Sequence, residues 1–358
     1  MIGAPQLVTR AKVLADMLGS DFLLNNEWND LATDAASALW ADITSVNKDF
    51  RVNALTFSIA STSSPTVAFP WDFREVRWVR RDPGLSNMKI LTKTGQRTAI
   101  AQAELSYRIQ DQLLYIEPAL NSVGNYDLLY VPQPPNFTTD FTVRASLTEQ
   151  MWNDAGFGSV VAGAGIGKTI TADVNGAFPV LEGLTFLVND RVLVFGTGGA
   201  LAAKDLGIYR ISNLGSAGTK WVLMRATDFD VANSTEVRSG VVATATEGTN
   251  NAYRPYRLGT FVGPVDTGAQ TWTEQVLDAE LAPWAEYLIL HMAIKALGKE
   301  ESDEEAATFM ALFDPDGTGK RGIRGKVMRW ASDQRAADPD QVEDVRGGRR
   351  NRGSWPAF

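Results

Sequence analysis

Gly163-Ala164-Gly165-Ile166-Gly167-Lys168-Thr169 is the stretch of this sequence most suited to holding a phosphate, because backbone N–H groups of a glycine-rich loop can cradle one and a lysine can neutralise it. The spacing fails at one point, since Ala162 stands where the first glycine of a phosphate loop is required. The context fails as well. Ile-Thr-Ala-Asp-Val-Asn-Gly after Lys168-Thr169 reads as a strand and a turn, where a phosphate loop must open a helix. Asp314-Pro315-Asp316-Gly317-Thr318-Gly319 begins like a calcium loop, yet its twelfth position is Gly325 in place of a bidentate glutamate, and basic residues crowd it. A helix-terminating turn is the simpler expectation.

His291 is the single histidine and there is no cysteine, so most metal, nucleophile and acid–base sites cannot be assembled. On an apolar helix, His291 is expected to be a hydrogen-bonded structural imidazole. Asp303 and Glu304 form a carboxylate pair, but at the start of a helix they are expected to be a solvated first turn that favours the helix dipole. No catalytic residue, metal ligand or cofactor contact is predicted, and the chain is read as a binding protein, not an enzyme. The residues left with chemistry to do lie at the end: Arg346, Arg349, Arg350 and Arg352, then Trp355 and Phe358. Arginines beside an aromatic anchor suit a segment that orders on a protein partner, and that reading is preferred to direct phosphate contact.

The chain that must position these groups has 358 residues, enough for two domains, and 44% hydrophobic residues with ten tryptophans, enough for real cores. Its net charge of −8 argues against a nucleic-acid-binding surface over the whole protein, although the region from Lys320 onward is basic. No apolar run is long enough to span a bilayer, and Met1 to Leu18 lacks the apolar core of a signal peptide, so neither membrane insertion nor secretion by that route is expected. The absence of cysteine fits synthesis in a reducing cytoplasm.

Helical spacing occurs at both ends. Thr9 is expected to cap a short helix containing Val13, Leu14 and Leu18; a longer one from Asn26 buries Trp28, Leu31, Ala35, Leu39, Ile43 and Val46 and turns Asp30, Asp34 and Asp42 outward. Ala282 to Lys299 is apolar on nearly every side, including Trp284, Tyr287, Leu288 and Met292, so it is expected to pack in the core or against a ring neighbour. Ser302 with Glu305 forms a capping-box pattern for a helix through Phe313, and Ile323 to Ala336 forms another. Between these ends, alternation at Leu55, Phe57 and Ile59, and the stretches Glu75–Arg80, Gln112–Glu117 and Tyr126–Val131, predict a small antiparallel sheet. From Ser146 to about Thr273, Gly, Thr, Val and Asn dominate. Strands are predicted at Leu184–Val194, Gly207–Ser212, Trp221–Arg225, Gly240–Thr246 and Tyr253–Phe261.

The expected fold class is α+β: a multi-helix domain with a small antiparallel sheet, interrupted by an inserted all-β sandwich or barrel. Its parts are 1–145, the β-domain 146–274, the returning helices 275–336 and an extended basic tail 337–358.

Leu114-Tyr115-Ile116-Glu117-Pro118-Ala119, Tyr126-Asp127-Leu128-Leu129-Tyr130-Val131-Pro132-Gln133-Pro134-Pro135, Trp284-Ala285-Glu286-Tyr287-Leu288-Ile289-Leu290 and Lys299-Glu300-Glu301-Ser302-Asp303 occur in an order that resembles the head-to-tail adaptor (connector) proteins of tailed bacteriophages. Within the β-region, Asn189-Asp190-Arg191-Val192-Leu193-Val194, Gly207-Ile208-Tyr209, Trp221 to Asp228 and Glu236-Val237 are similar to a β-module of phage tail-fibre proteins. The resemblance implies a virion neck protein, made in the host cytoplasm and non-enzymatic. It would form a homo-oligomeric ring, a dodecamer, between the portal protein and a tail, nozzle or stopper protein. Genomic DNA would pass through the channel without sequence-specific binding, and the tail residues named above would dock on the portal. Tail fibres are a further partner through the inserted domain. The alternative is a tail-fibre or receptor-binding component whose Tyr209, Trp221, Tyr253 and Tyr256 stack on carbohydrate.

Overall fold

The computed structural model describes residues 2–20, 22–48, 50–63, 65–70, 72–82, 89–90, 92–93, 105–110, 113–117, 122–165, 167–196, 201–230, 237–259, 261, 265, 268–277 and 279–337. It is an α+β structure with mixed sheets. Helix α1 (Ala4–Leu14) carries proline in its first turn, where no backbone donor is needed, and is capped by Gly3. Thr9, expected to be the cap, lies inside this helix and its hydroxyl donates to the Pro5 carbonyl at 2.8 Å. Leu18 falls outside the helix and is exposed. The chain leaves the helix at Asp16, which is left-handed at φ 54°.

Helix α2 (Asn25–Val46) buries Trp28, Leu31, Ala35, Leu39 and Ile43, as its period demands. Asp42 does not face outward as expected: it is buried. It follows Ala35 by a whole heptad and Leu39 by one turn, which puts it on the apolar stripe. A six-residue helix α3 (Glu149–Asp154) opens the β-rich region, where no helix was predicted.

The remaining helices are α4 (Ala285–Lys299), α5 (Asp303–Phe313) and α6 (Gly322–Ala337). Ala282–Trp284, predicted as part of α4, forms a tighter 3-10 turn ahead of it, with Pro283 in its first turn. The capping box expected at Ser302 is not formed: the Ser302 side chain makes no cap hydrogen bond, and only its carbonyl engages Ala306 N–H at 3.0 Å. Gly322 opens α6 at φ 64°, and any side chain there would collide with the Leu312 and Phe313 carbonyls that end α5. Helices α1, α2, α4, α5 and α6 share one hydrophobic core, so residues from both ends of the chain fold together.

The strands sort into separate sheets. β1 (Ile2–Gly3) begins the chain. β2 (Asn53–Ile59), β3 (Thr66–Ala68), β4 (Phe73–Asp82), β5 (Lys89–Ile90), β6 (Thr92–Lys93), β7 (Ser106–Gln110), β8 (Leu113–Glu117) and β9 (Gly124–Pro132) follow. They form two four-stranded sheets, β2-β9-β4-β5 and β3-β8-β7-β6. Ile59, Val79, Leu114, Ile116, Tyr126 and Leu128 make their common core. The small sheet predicted from alternation is therefore two sheets.

Beyond them come β10 (Phe141–Val143), β11 (Ala145–Thr148), β12 (Ser159–Ala162), β13 (Thr169–Ala172), β14 (Arg191–Gly196), β15 (Gly207–Asn213), β16 (Val222–Arg225), β17 (Val242–Ala245), β18 (Pro255–Leu258) and β19 (Trp272–Glu274). Six strands run β11-β14-β15-β16-β13-β12 and four run β10-β17-β18-β19. A core containing Trp152, Trp221, Val192, Val194, Ile208, Leu223 and Phe229 joins them. Pairing begins at Phe141, ahead of the composition shift at Ser146, because β10 lies parallel to β17 and β11 parallel to β14. The strand expected from Leu184 is confined to Arg191–Gly196. Glu182, Gly183 and Asn189 take positive φ, and the Leu187 N–H turns onto the Asp190 carboxylate at 2.6 Å. β20 (Val276–Leu277) pairs antiparallel with β1 and returns the chain to the helices.

Candidate functional site

The glycine-rich stretch is the tip of a hairpin. Ala162 pairs with Thr169 across β12 and β13, and Lys168 is turned inward. Its side chain is only 1% exposed, and its ammonium lies 2.5 Å from the Asp205 carboxylate, itself 5% exposed. A lysine consumed by a buried ion pair is not presented to a phosphate. The Asp314 turn ends α5 as expected: the Asp314 carboxylate accepts the Gly319 N–H at 3.0 Å, and Asp316 accepts that of Thr318 at 3.1 Å. Among the described residues no group of three or more His, Asp or Glu side chains is arranged to hold a metal ion.

His291 lies half-buried, parallel to the Tyr287 ring at 6.3 Å and edge-on to Phe313 at 5.8 Å. The hydrogen bond expected of it is missing at Nδ1, which is buried without a partner among the described residues. Burial, with Lys295 adding to it, holds its pKa below the usual imidazole value against the opposing pull of Asp34 and Asp42. The folded pKa thus lies below the unfolded one. The stabilisation from a neutral His291 is complete above about pH 6.5 and is lost as pH falls through the folded value. Thermal melts of His291→Phe should be flatter than wild type between about pH 5 and 7.

Tyr287, Leu288 and Met292 are almost wholly buried, covered by α1, α2, α5 and α6 of the same chain, and Trp284 is partly buried against Trp330. This packs one side of α4 into the chain's own core, while Glu286, Ile289 and Leu290 line a groove at the surface. The uncovered helix is α5. Its sequence is apolar after the first turn, yet only Phe313 is buried; Met310 and Leu312 are 44% and 57% exposed. Beside it a groove of about 630 Å³ is lined by the apolar Leu14, Ile289, Phe309 and Ile323 and by Glu286, Arg321, Lys326 and Arg329.

A polar cluster missed by sequence reading fixes α6 against the other helices. Asp42 of α2 accepts hydrogen bonds from the Tyr287 hydroxyl at 2.7 Å and from Arg324 Nε and Nη2, both at 2.9 Å. Arg324 Nη1 also donates to Asp314 at 3.0 Å. Burial and then the Asp42 carboxylate raise the Tyr287 pKa, so it stays a phenol donor; hydrogen bonding to Asp42 raises that of Arg324. The only hint in the sequence was an aspartate on the apolar stripe of α2. Arg324 lies in the first turn of α6, so the cluster ties the start of that helix to α2 and α4. Arg346, Arg349, Arg350, Arg352, Trp355 and Phe358 lie outside the described residues.

Of the aromatics considered for stacking on carbohydrate, Tyr209 and Trp221 are completely buried and Tyr256 nearly so; they belong to the β-core. Tyr253 differs, being 39% exposed in the β17–β18 turn with φ 61°. A left-handed non-glycine residue costs about 1–2 kcal/mol and persists only where its surroundings dictate it. Here they do. The Glu182 carboxylate accepts the Asn250 and Asn251 N–H groups at 2.6 and 3.2 Å, the Tyr256 hydroxyl donates to Asn251 Oδ1 at 2.9 Å, and Tyr253 N–H donates to the Ala245 carbonyl at 2.8 Å. Tyr253 lines a cleft of about 350 Å³ between the first turns of α2 and the β10–β17 edge.

No protein-family model matches this chain, and neither does any curated protein sequence. No helix among the described residues is long and apolar enough to cross a membrane.

Proposed function

We propose that this chain is a structural protein of a tailed-phage virion: a head-to-tail adaptor that forms a ring between portal and tail. The observation that carries the reading is α5, an apolar helix whose Met310 and Leu312 stay exposed among the described residues, beside a groove with Arg321, Lys326 and Arg329 on its lining. Exposed apolar helix faces next to concave apolar surfaces are what closed homo-oligomers cover, one copy's helix lying on the next copy's groove. The order of the chain supports it further. Helices from both ends share one core while strands between residues 141 and 274 build sheets with a core of their own, which supports reading the chain as an adaptor domain with an inserted β-domain. The ordered likeness of Leu114–Ala119, Tyr126–Pro135 and Trp284–Leu290 to adaptor proteins adds to this.

In this reading the helical domain forms the ring around the DNA path, the β-domain projects outward, and the segment after α6 docks on the portal through Arg346, Arg349, Arg350, Arg352, Trp355 and Phe358. The chemistry is binding without turnover. Electron microscopy of the purified chain with its phage's portal protein should show rings on the portal. A Met310→Glu/Leu312→Glu variant should remain folded but monomeric, and a chain ending at residue 345 should lose portal contact. A wild-type protein that stays monomeric beside the portal would end the proposal. Unchanged portal binding after truncation would remove the tail from it.

A further inference from the structure

We propose that the cleft between α2 and the β10–β17 edge binds a neutral saccharide, with Tyr253 as its stacking platform. Asn26, Asn29, Thr142 and Tyr253 line it beside the apolar Leu24 and Ala245, and no ammonium, guanidinium or carboxylate side chain does among the described residues. That lining disfavours phosphates, nucleotides and acidic ligands, which need a compensating charge.

It also disfavours a purely apolar ligand, because of Asn29. This residue is 3% exposed and lines the cleft, yet its side-chain amide makes no hydrogen bond among the described residues. Covering it with hydrocarbon would strand one carbonyl and one amino group. The side chains of Asn26 and Thr142 are likewise unengaged among the described residues, whereas the Thr244 hydroxyl is occupied by that of Thr139 at 2.8 Å. Amides and hydroxyls each offer both donor and acceptor. The ligand class that matches such a set, group for group, is a ring bearing vicinal hydroxyls.

The backbone of Tyr253 bears on the apolar half of such a ligand. A sugar ring has an apolar C–H face as well as a polar edge, and it needs a rigid aromatic surface for the first. The turn that carries Tyr253 at φ 61° is tied down by the Glu182–Asn251–Tyr256 network, so its backbone is set at the rim before any ligand arrives. The volume, about 350 Å³, lies within the range of small-molecule sites and suits one or two sugar units. The inference is independent of the ring reading, since none of these residues lies on α5 or beyond α6.

The test is saturation-transfer NMR on the full-length chain with methyl glycosides of glucose, galactose, mannose and N-acetylglucosamine, and with glucuronate as a charged control. At roughly 10 mM ligand, where a millimolar site is mostly filled, at least one neutral glycoside should receive transfer, strongest on the protons of one ring face. Tyr253→Ala should weaken that binding about tenfold, and an Asn26→Ala/Thr142→Ala variant should weaken it several-fold, both at unchanged melting temperature. No transfer to any neutral glycoside, equal transfer to glucuronate, or undiminished binding in Tyr253→Ala would overturn the proposal. A cleft that excludes all these sugars because a second copy's peptide fills it counts among the overturning outcomes.

Discussion

Asp205→Ala is expected to lower the stability of the β-rich region by about 3–5 kcal/mol, because it removes the carboxylate opposite an ammonium that is almost completely enclosed. The Asp205 carboxylate also takes the Lys204 ammonium at 2.9 Å and the Ala202 N–H at 3.2 Å, so one side chain satisfies three donors. Urea unfolding followed by tryptophan fluorescence would measure the loss, since Trp152 and Trp221 lie in the same core. A Lys168→Met/Asp205→Leu variant should recover most of it, because the main penalty is an uncompensated charge. The pH dependence has a definite sign. Burial pushes the Asp205 carboxyl up, but hydrogen bonds and charge from Lys168 and Lys204 outweigh it, so its folded pKa is lowered. The pair therefore contributes fully above about pH 4 and loses its contribution as pH falls through the folded value; Asp205→Ala should lack that part of the acid limb. Equal stability of wild type and Asp205→Ala would mean that the pair does not form.

Asp42→Ala should cost about 2–3 kcal/mol and loosen α6 selectively, since it strips acceptors from Tyr287 and Arg324 together. The figure is held to the lower range because the Arg324 side chain is 35% exposed and keeps Asp314 as a partner. Tyr287 has no such relief, being 1% exposed. Limited trypsin digestion should cut at Arg329 and Lys326 faster in the variant than in wild type, while the β-rich region stays resistant. A double-mutant cycle with Arg324→Met gives the coupling; near-zero coupling would show that water, not Asp42, satisfies the guanidinium. In the ring reading, Asp42→Ala should also weaken portal binding at intact ring assembly, because it loosens the helix that precedes the proposed docking segment.

The apolar face of the longer elements was readable in the residues. Trp28, Leu31, Ala35, Leu39 and Ile43 recur at the helical period and are buried together on α2; the same holds for the core side of α4. Alternation at Leu55, Phe57 and Ile59 marked β2. Local signals failed where the chain's conformation depends on distant partners. Thr9 was a plausible cap until Pro5 set the helix start earlier, and Leu184–Asp190 had strand-like residues but was turned by Glu182, Gly183 and Asn189. β10 and β11 are too short to show a period, and they exist because β17 and β14 pair with them.

The residues alone determined that the ends of this chain are helical and its middle β-rich, that it lacks the groups most metal and nucleophile sites require, and that its end is basic. Those are properties of composition and of spacing within one element. Tertiary structure alone decided that Lys168 would face Asp205, that Asp42 would hold an arginine 282 positions away, that Met310 and Leu312 of α5 would stay exposed among the described residues, and that Tyr253 would stand at the rim of an uncharged cleft. Periodicity tells which face of an element is apolar, but not which element covers it. A charge or an aromatic ring acquires its role only from the groups that packing brings within a few ångströms, and packing depends on every element at once.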